Sequence, residues 1–203
     1  MKKRSLSHFV YYAANRAVPV FLLLLLLLGL SACASTVCRT SNDYTSWFGD
    51  SKDKVFAALD EEKLTYTEDD LYANAYVLDQ TETLENHEFS VYLLFDFDTD
   101  TLYGCRKLLF VENPTDEDCK LPEKLLNTLT AQYGEPTTYP GLENRLSTHL
   151  DRLSADAIGS GEVYNEYWSI SENYDASVGV SFLPDGRLFV DVVWQVPRQA
   201  PQT

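Results

Sequence analysis

The chain has 203 residues, of which 31 are acidic and 16 are basic, so its formal net charge at pH 7 is −15. Nucleic acids bind basic surfaces, and this charge therefore excludes a nucleic-acid-binding protein. Thirteen Tyr, ten Phe and three Trp provide ample apolar area for a folded core. The length suits one domain, or two small repeats that share a core.

The N-terminus has the layout of an export signal. Its basic flank consists of Lys2, Lys3, Arg4 and Arg16. The apolar run that follows, residues 20–30, has roughly ten residues and the length of a signal h-region, whereas a helix that crosses a bilayer needs about twenty. Residues 1–32 are therefore predicted to be a signal peptide.

The end of this run, residues 30–33 (LSAC), resembles the lipobox of bacterial lipoproteins. The resemblance implies that Cys33 is acylated, becomes the mature N-terminus and holds the protein in the cell membrane or outer membrane on its extracytoplasmic side. Cleavage there would leave 171 residues, 12 basic and 31 acidic, with a net charge of −19. An uncleaved anchor, or an ordinary secretory signal in which Cys33 is incidental, is the alternative.

The folded part is predicted to begin after a tether. Residues 33–46 are rich in Ser, Thr and Asn and lack apolar periodicity, which is typical of a flexible segment. In residues 47–116, Asp50 or Ser51 is suited to the N-cap of a helix. The strands of this half are predicted at 71–78, 89–97 and 102–111, with a polar loop at 81–88.

Residues 117–196 have the same order of elements. Pro122 suits the first turn of a helix that Gly134 ends. Three strands are predicted at 163–171, 177–183 and 188–196, followed by a C-terminal tail at 197–203. Alternation in the last strand places four side chains on the core face: Leu188, Val190, Val192 and Trp194.

The two halves share a strand–turn–strand pattern. Residues 97–102 (FDTDTL) align with residues 183–188 (LPDGRL) at an offset of 86. We therefore predict an α+β fold in which helices pack on one face of an antiparallel sheet, as two tandem repeats of a helix and three strands. The alternative is that any two antiparallel hairpins look alike.

Two short motifs carry a family resemblance. Residues 49–55 (GDSKDKV) resemble the Gly-x-Ser/Thr-x-x-x-Val opening of beta-lactamase-inhibitor-protein-like domains and of the small outer-membrane assembly lipoproteins. Residues 129–136 (LTAQYGEP) resemble the Leu-x-x-x-Tyr-Gly-x-Pro helix end of the same domains. The resemblance implies helices on one face of an antiparallel sheet, often in tandem, and a binding role. The chain departs from the pattern at 59–62, where Gly-x-Pro is missing, and at the insertion 140–161.

The insertion itself has a helical stripe. Apolar residues recur at helical spacing at Leu142, Leu146, Leu150, Leu153 and Ala157. This spacing predicts one helix that covers part of the core. A helix that binds a partner or moves is the alternative.

Three cysteines remain if Cys33 carries lipid. Cys105 and Cys119 lie in the predicted folded region, whereas Cys38 lies on the tether, so we predict a Cys105–Cys119 disulfide in an oxidising compartment. Pairing of Cys38 with either of them, or no bridge at all, is the alternative.

No pattern indicates catalysis, a metal or a cofactor, and we expect none. Residues 96–100 (DFDTD) could suggest calcium, but Thr101 and Lys107 stand where an EF-hand loop has Gly and Glu. Neither His87 nor His149 has the spacing of a metal ligand or of a catalytic motif.

The second face of the sheet is the predicted binding surface. Its aromatic residues are expected to be Tyr92, Tyr103, Tyr167 and Phe189. Strict alternation from Tyr103 would turn Arg106 inward, so we expect a β-bulge near Gly104. Tyrosine is favoured at binding surfaces because it buries a large area at a low entropic cost. Packing of these rings against loops or against the other repeat is the alternative.

Together these patterns predict a lipid-anchored, extracytoplasmic protein that is not an enzyme. Its partners are expected to be the membrane, through Cys33, and a protein or peptide, through the second sheet face. An envelope-assembly scaffold, or an inhibitor or enzyme that acts on cell-envelope components, is the alternative.

Overall fold

A seven-stranded antiparallel sheet organises the chain. The computed structural model describes residues 44–138 and 144–197. The strands are β1 (Tyr66–Glu68), β2 (Ala75–Leu84), β3 (His87–Phe95), β4 (Leu102–Val111), β5 (Val163–Ser169), β6 (Asp175–Phe182) and β7 (Leu188–Gln195), and the helices are α1 (Lys52–Glu61), α2 (Asp116–Cys119) and α3 (Leu121–Tyr133). The strand order is β1-β2-β3-β4-β7-β6-β5. The predicted α+β class is confirmed.

Both long helices pack on one face of the sheet. Val55 and Leu59 of α1 are buried with Val91 of β3 in one core cluster. Leu125 of α3 belongs to a second cluster, which also contains Phe89 of β3. Phe89 and Val91 are two residues apart on one strand and therefore point to the same side. The two clusters consequently form one layer, with α1 over the β2–β4 half and α3 over the β5–β7 half.

Strand β7 lies inside the sheet, and its predicted alternation is confirmed. The core-facing residues Leu188, Val190, Val192 and Trp194 are each at most 1% exposed. Trp194 Nε1 also donates a hydrogen bond to the Tyr133 hydroxyl at 3.1 Å. This bond ties the end of α3 to the centre of the sheet.

The polar segment 81–88 was predicted to be a loop. It is instead the hairpin that joins β2 and β3. Glu85 and Asn86 form its two-residue turn with φ of 48° and 65°, the left-handed conformation that tight hairpins require. Thr83 Oγ1 donates to Glu88 across the strands at 2.8 Å. The loop prediction was wrong because polar side chains pair across this hairpin as apolar ones would.

The folded part begins earlier than predicted. Residues Tyr44–Trp47 form a 3₁₀ turn, and Tyr44 is only 2% exposed. The Tyr44 hydroxyl donates to Glu82 of β2 at 2.7 Å. The last three residues of the predicted tether 33–46 therefore belong to the fold, whereas its earlier residues and the signal segment 1–32 lie outside the described part.

The insertion does not form the predicted helix. Its described residues, 144–161, contain three separate 3₁₀ turns at Leu146–Thr148, Leu150–Arg152 and Ala155–Ala157. Glu166 of β5 is fully buried and accepts bonds from the Arg145 side chain at 2.5 Å and from the backbone N–H of Ser147 at 2.8 Å. These contacts hold the start of the segment against the edge of the sheet, and a continuous helix would break them.

The apolar stripe of the insertion still covers the core. Leu146 and Leu153 are buried, and Leu150 and Ala157 pack against the same cluster. Leu142, the first residue of the predicted stripe, lies outside the described residues. The expected covering role is thus confirmed, in a different backbone conformation.

The predicted Cys105–Cys119 disulfide is absent. Both residues are free and buried thiols. Cys105 lies in the core cluster of α1, whereas Cys119 lies in the cluster of α3. Each thiol thus packs as a small apolar side chain in its own half of the core.

Candidate functional site

The sheet face opposite α1 and α3 carries the candidate site, and we call it the open face. One row of register partners crosses it, from β2 through β3, β4, β7 and β6 to β5: Val77, Tyr92, Arg106, Val193, Ser177 and Tyr167. Two predicted binding residues, Tyr92 and Tyr167, therefore lie in the same row. Four strand spacings, or about 19 Å, separate them.

A continuous run of aromatic rings and guanidinium groups lies on this face, and we call it the ladder. Its members in order of contact are Tyr92, Tyr72, Arg106, Phe189, Phe110 and Arg187. Five segments supply these residues: β3, β4, β7, the turn before β2 and the turn before β7. The ladder is therefore assembled by the fold and not by any local stretch of sequence.

Arg106 is the centre of the ladder. Its Cζ atom lies 5.4 Å from the ring centroid of Tyr72 and 5.7 Å from that of Phe189. Tyr72 in turn meets Tyr92 edge-to-face at 6.0 Å. A guanidinium over an aromatic face within about 6 Å is attracted to the ring, so these contacts fix all four side chains together.

Partly exposed aromatic rings lie on both sides of Arg106 in the ladder. Phe110 lies 4.8 Å from Phe189, and Arg187 Cζ lies 5.4 Å from the Phe110 centroid. Phe110 is 49% exposed and Tyr72 is 39% exposed. An approaching molecule therefore meets a large aromatic ring at each side of Arg106.

An ion pair orients Arg106. Asp191 of β7 accepts hydrogen bonds from Arg106 at 2.7 and 3.2 Å, and both side chains are mostly buried. Gly179 of β6 lies beneath Asp191, and a Cβ at this position would overlap Asp191 Oδ1 and lie 3.2 Å from Asn165 Oδ1. The absent side chain of Gly179 thus makes the space in which Asp191 reaches Arg106.

Tyr92 adds a neutral polar group. Burial, together with nearby Asp69 and Tyr72, raises the pKa of Tyr92, although Arg106 acts in the opposite direction. Its hydroxyl is therefore protonated at neutral pH and can donate or accept a hydrogen bond.

The predicted binding residues do not form one group. Tyr92 and Phe189 belong to the ladder, whereas Tyr167 lines a separate pocket at the β5 edge. Tyr103 lies at the expected bulge: Leu94 pairs with Gly104 and Phe95 with Leu102. Tyr103 is thus the extra residue between two pairs.

Four ladder residues were not predicted as binding residues: Tyr72, Arg106, Phe110 and Arg187. The confirmed bulge places Arg106 opposite Tyr92, on the open face. The position of Phe110, an even-numbered residue of β4 like Arg106, follows from the same register. Tyr72 was expected in a strand over 71–78 but lies in the turn before β2, and Arg187 lies in the turn before β7.

The described part of the chain shows structural uses for its histidines and acidic turn. His87 contacts the Glu85 carbonyl at 3.0 Å and Asp118 at 3.2 Å. The His149 ring lies 4.9 Å from that of Tyr164. Asp96 Oδ1 accepts from the backbone N–H groups of the turn that it precedes. In residues 44–138 and 144–197, no three His, Cys, Asp or Glu side chains are grouped as metal ligands.

Within the same ranges, none of the helices has both the length and the apolar character needed to cross a bilayer.

Comparison of the chain with the profiles of known protein families, with curated proteins and with solved structures gave no match. What the protein does must therefore be inferred from its own residues.

Proposed function

We propose that this chain is a lipid-anchored, extracytoplasmic protein of the bacterial envelope that binds a protein or peptide and is not an enzyme. The N-terminal pattern that ends at Cys33 supports the anchor. The open face supports the binding role, and the ladder is the observation that carries it.

The ladder has the composition of a protein-binding hot spot. Binding energy at such surfaces concentrates in Trp, Tyr and Arg, and aromatic residues are enriched in interfaces generally. Arg106 is already oriented by Asp191 and by two rings, so little side-chain entropy remains to be lost on binding. Phe110 and Tyr72 supply the apolar surface that a partner would cover.

The tandem-repeat architecture is part of this proposal. Strands β2-β3-β4 and β5-β6-β7 each form a three-stranded meander, and the sheet joins them through their last strands, β4 and β7. β4 begins at Leu102 and β7 at Leu188, which keeps the offset of 86. Each meander also has its own long helix, α1 or α3.

Site-specific photo-crosslinking in the native envelope tests the binding role. A photoreactive phenylalanine analogue replaces Phe110 in one variant and Phe97 in a matched control, because Phe97 is also exposed but lies in the β3–β4 turn. We expect a discrete protein or peptide adduct at position 110 that Arg106→Ala abolishes, and no such adduct at position 97. Equal adducts at both positions, or none at 110, would contradict the proposal.

A further inference from the structure

A second, polar site lies on the open face at the edge formed by β5. It is a pocket of about 480 Å³, within the range of small-ligand sites. Its lining residues are Tyr167, Ser169, Ser171, Glu172, Asp175 and Gln195, with Pro197 at the side. Asp175 pairs in register with Ser169 on one side and with Gln195 on the other, so this wall is built by three adjacent strands.

Asp175 is the unusual member of this pocket. Asp175 is only 4% exposed, yet its Oδ1 atom has no hydrogen-bond partner among the described residues. A buried carboxylate oxygen without a partner is costly, and the oxygens of buried carboxylates are normally paired. Asp175 also lines the pocket, so a rotation of this carboxylate, whose Oδ1 is closed to solvent in the structure, would present it to a ligand.

The chemistry of the lining selects a cation with N–H donors. The two carboxylates in the pocket, Asp175 and Glu172, can only accept hydrogen bonds when they are ionised. The strongly negative chain adds a favourable field for a positive ligand. A metal ion is disfavoured, because no third His, Cys, Asp or Glu joins the two carboxylates in the described part.

We infer that this pocket binds the ammonium or guanidinium group of a basic side chain carried by the peptide or protein partner. The inference rests on the proposed function only in that it assumes a peptide or protein partner. Arg106 and Tyr167 share a row and are separated by three strand spacings, or about 14 Å. About four extended residues span that distance. One peptide strand could therefore cover the ladder and place a Lys or Arg on Asp175.

Titration with small probes tests the pocket without the partner. The full chain is titrated with N-acetyl-lysine methylamide, N-acetyl-arginine methylamide and the neutral isostere N-acetyl-norleucine methylamide, followed by NMR or calorimetry. We expect saturable binding of a cationic probe that is at least about tenfold tighter than binding of the isostere, as for a charge-assisted hydrogen bond. Equal binding of the isostere, or binding of calcium chloride in preference to both cationic probes, would overturn the inference.

Two variants locate the effect. Asp175→Asn should weaken binding of the cationic probe at least about tenfold, whereas Asp53→Asn, which removes the same charge from an exposed site on α1, should leave it unchanged. Ser169→Lys provides an independent variant, since it places an ammonium group directly across from Asp175 and should block the probe. Unchanged binding in folded Asp175→Asn or Ser169→Lys protein would overturn the assignment.

The two proposals fail separately. Probe binding that persists while position 110 gives no adduct would retain the pocket and contradict the binding role of the ladder. A position-110 adduct that forms while no cationic probe binds would retain the ladder and overturn the pocket.

Discussion

Arg106 and Asp191 meet diagonally across β4 and β7, where Arg106 pairs in register with Val193 and Asp191 with Leu108. The 2.7 Å bond between them depends on a third strand, because Asp191 lies over Gly179 of β6. Three strands from the two halves of the sheet are therefore needed to hold one arginine between two aromatic rings.

Gly179→Ala should disturb this arrangement. The added methyl group overlaps Asp191 Oδ1, so the carboxylate must turn away from Arg106. We expect a loss of about 1–3 kcal/mol in the free energy of unfolding, as for an overpacked site, together with a weaker adduct at position 110. Denaturant titration measures the first effect, with Ser177→Ala on the same strand and face as the control. Equal midpoints for the two variants would contradict the role given to Gly179.

A buried ion pair makes a second prediction. Lys107 is fully buried, forms an ion pair with Glu82 and lies 5.5 Å from the Trp194 ring centroid. Glu82→Gln leaves an uncompensated ammonium group in the core and should cost about 3–5 kcal/mol of stability. Lys107→Met fills the same volume without charge and should cost less than about 1 kcal/mol, because Glu82 keeps its bond from Tyr44 and some solvent contact.

A double-variant cycle checks this asymmetry by denaturant titration. The protein with both Lys107→Met and Glu82→Gln should be more stable than the protein with Glu82→Gln alone. Equal losses from the two single substitutions would show that Lys107 stabilises the fold through its charge.

Strand β7 could be predicted from sequence because apolar side chains stand at every second position, and these positions are the buried ones. Each inward residue is apolar, from Leu188 to Trp194, and the turn before it contains Gly186 with a φ of 92°. The polar β2–β3 hairpin could not be predicted in this way, since its cross-strand bonds replace the apolar signal. In the insertion, helical spacing was misleading because Glu166, outside the segment, accepts hydrogen bonds from Arg145 and from the backbone N–H of Ser147, which a continuous helix would use internally.

The candidate site was only half predictable for a similar reason. Tyr92 and Phe189 follow from alternation in their own strands. The outward position of Arg106 follows from the bulge that was expected near Gly104, which alters the register of β4 by one residue, whereas Tyr72 and Phe110 were not predicted. Asp175 was not predicted, because its significance comes from an unpaired oxygen beside a pocket, and no sequence pattern records that.

The two core thiols should be unreactive in the folded protein. Burial raises the pKa of Cys105 to about 12 and that of Cys119 to about 11. Since the thiolate is the reactive species, iodoacetamide at pH 8 should label neither residue before unfolding and both afterwards. Mass spectrometry of each cysteine-containing peptide measures this. A Cys105–Cys119 crosslink, or rapid labelling of either thiol in folded protein, would contradict the structure.

The proposed anchor predicts a processing defect. Cys33→Ser removes the thiol that we propose is acylated, so the chain should remain an uncleaved precursor or be released from the membrane. Acyl chains hold a protein in a bilayer because each buried methylene contributes about 0.8 kcal/mol to the free energy of membrane binding. Loss of the acyl chains should therefore release the protein. Fractionation of envelopes and intact-mass analysis measure both outcomes, with Cys38→Ser as the matched control. Normal processing and membrane retention of Cys33→Ser would contradict lipidation at this position.

Acid should weaken the contact between the β2–β3 hairpin and α2. Asp118 accepts hydrogen bonds from the side chain and the backbone of Thr115, and it also contacts His87. The Thr115 bonds, with a smaller effect of His87, lower the pKa of Asp118 from its ordinary value of 3.8. A carboxyl group whose pKa is lower in the folded state stabilises that state above its unfolded pKa, and the effect is lost as the pH falls through the folded pKa.

Asp118→Asn should therefore reduce stability at pH 7 and remove part of the loss that the parent chain shows below about pH 4. Denaturant titration of both proteins from pH 7 to pH 2.5 measures the difference, which should narrow steadily through the acid range. Asp156→Asn, which removes the same charge from a 3₁₀ turn of the insertion, serves as the control and should leave the pH profile parallel to that of the parent. A constant difference between parent and Asp118→Asn across the whole range would show that this carboxylate does not titrate with folding.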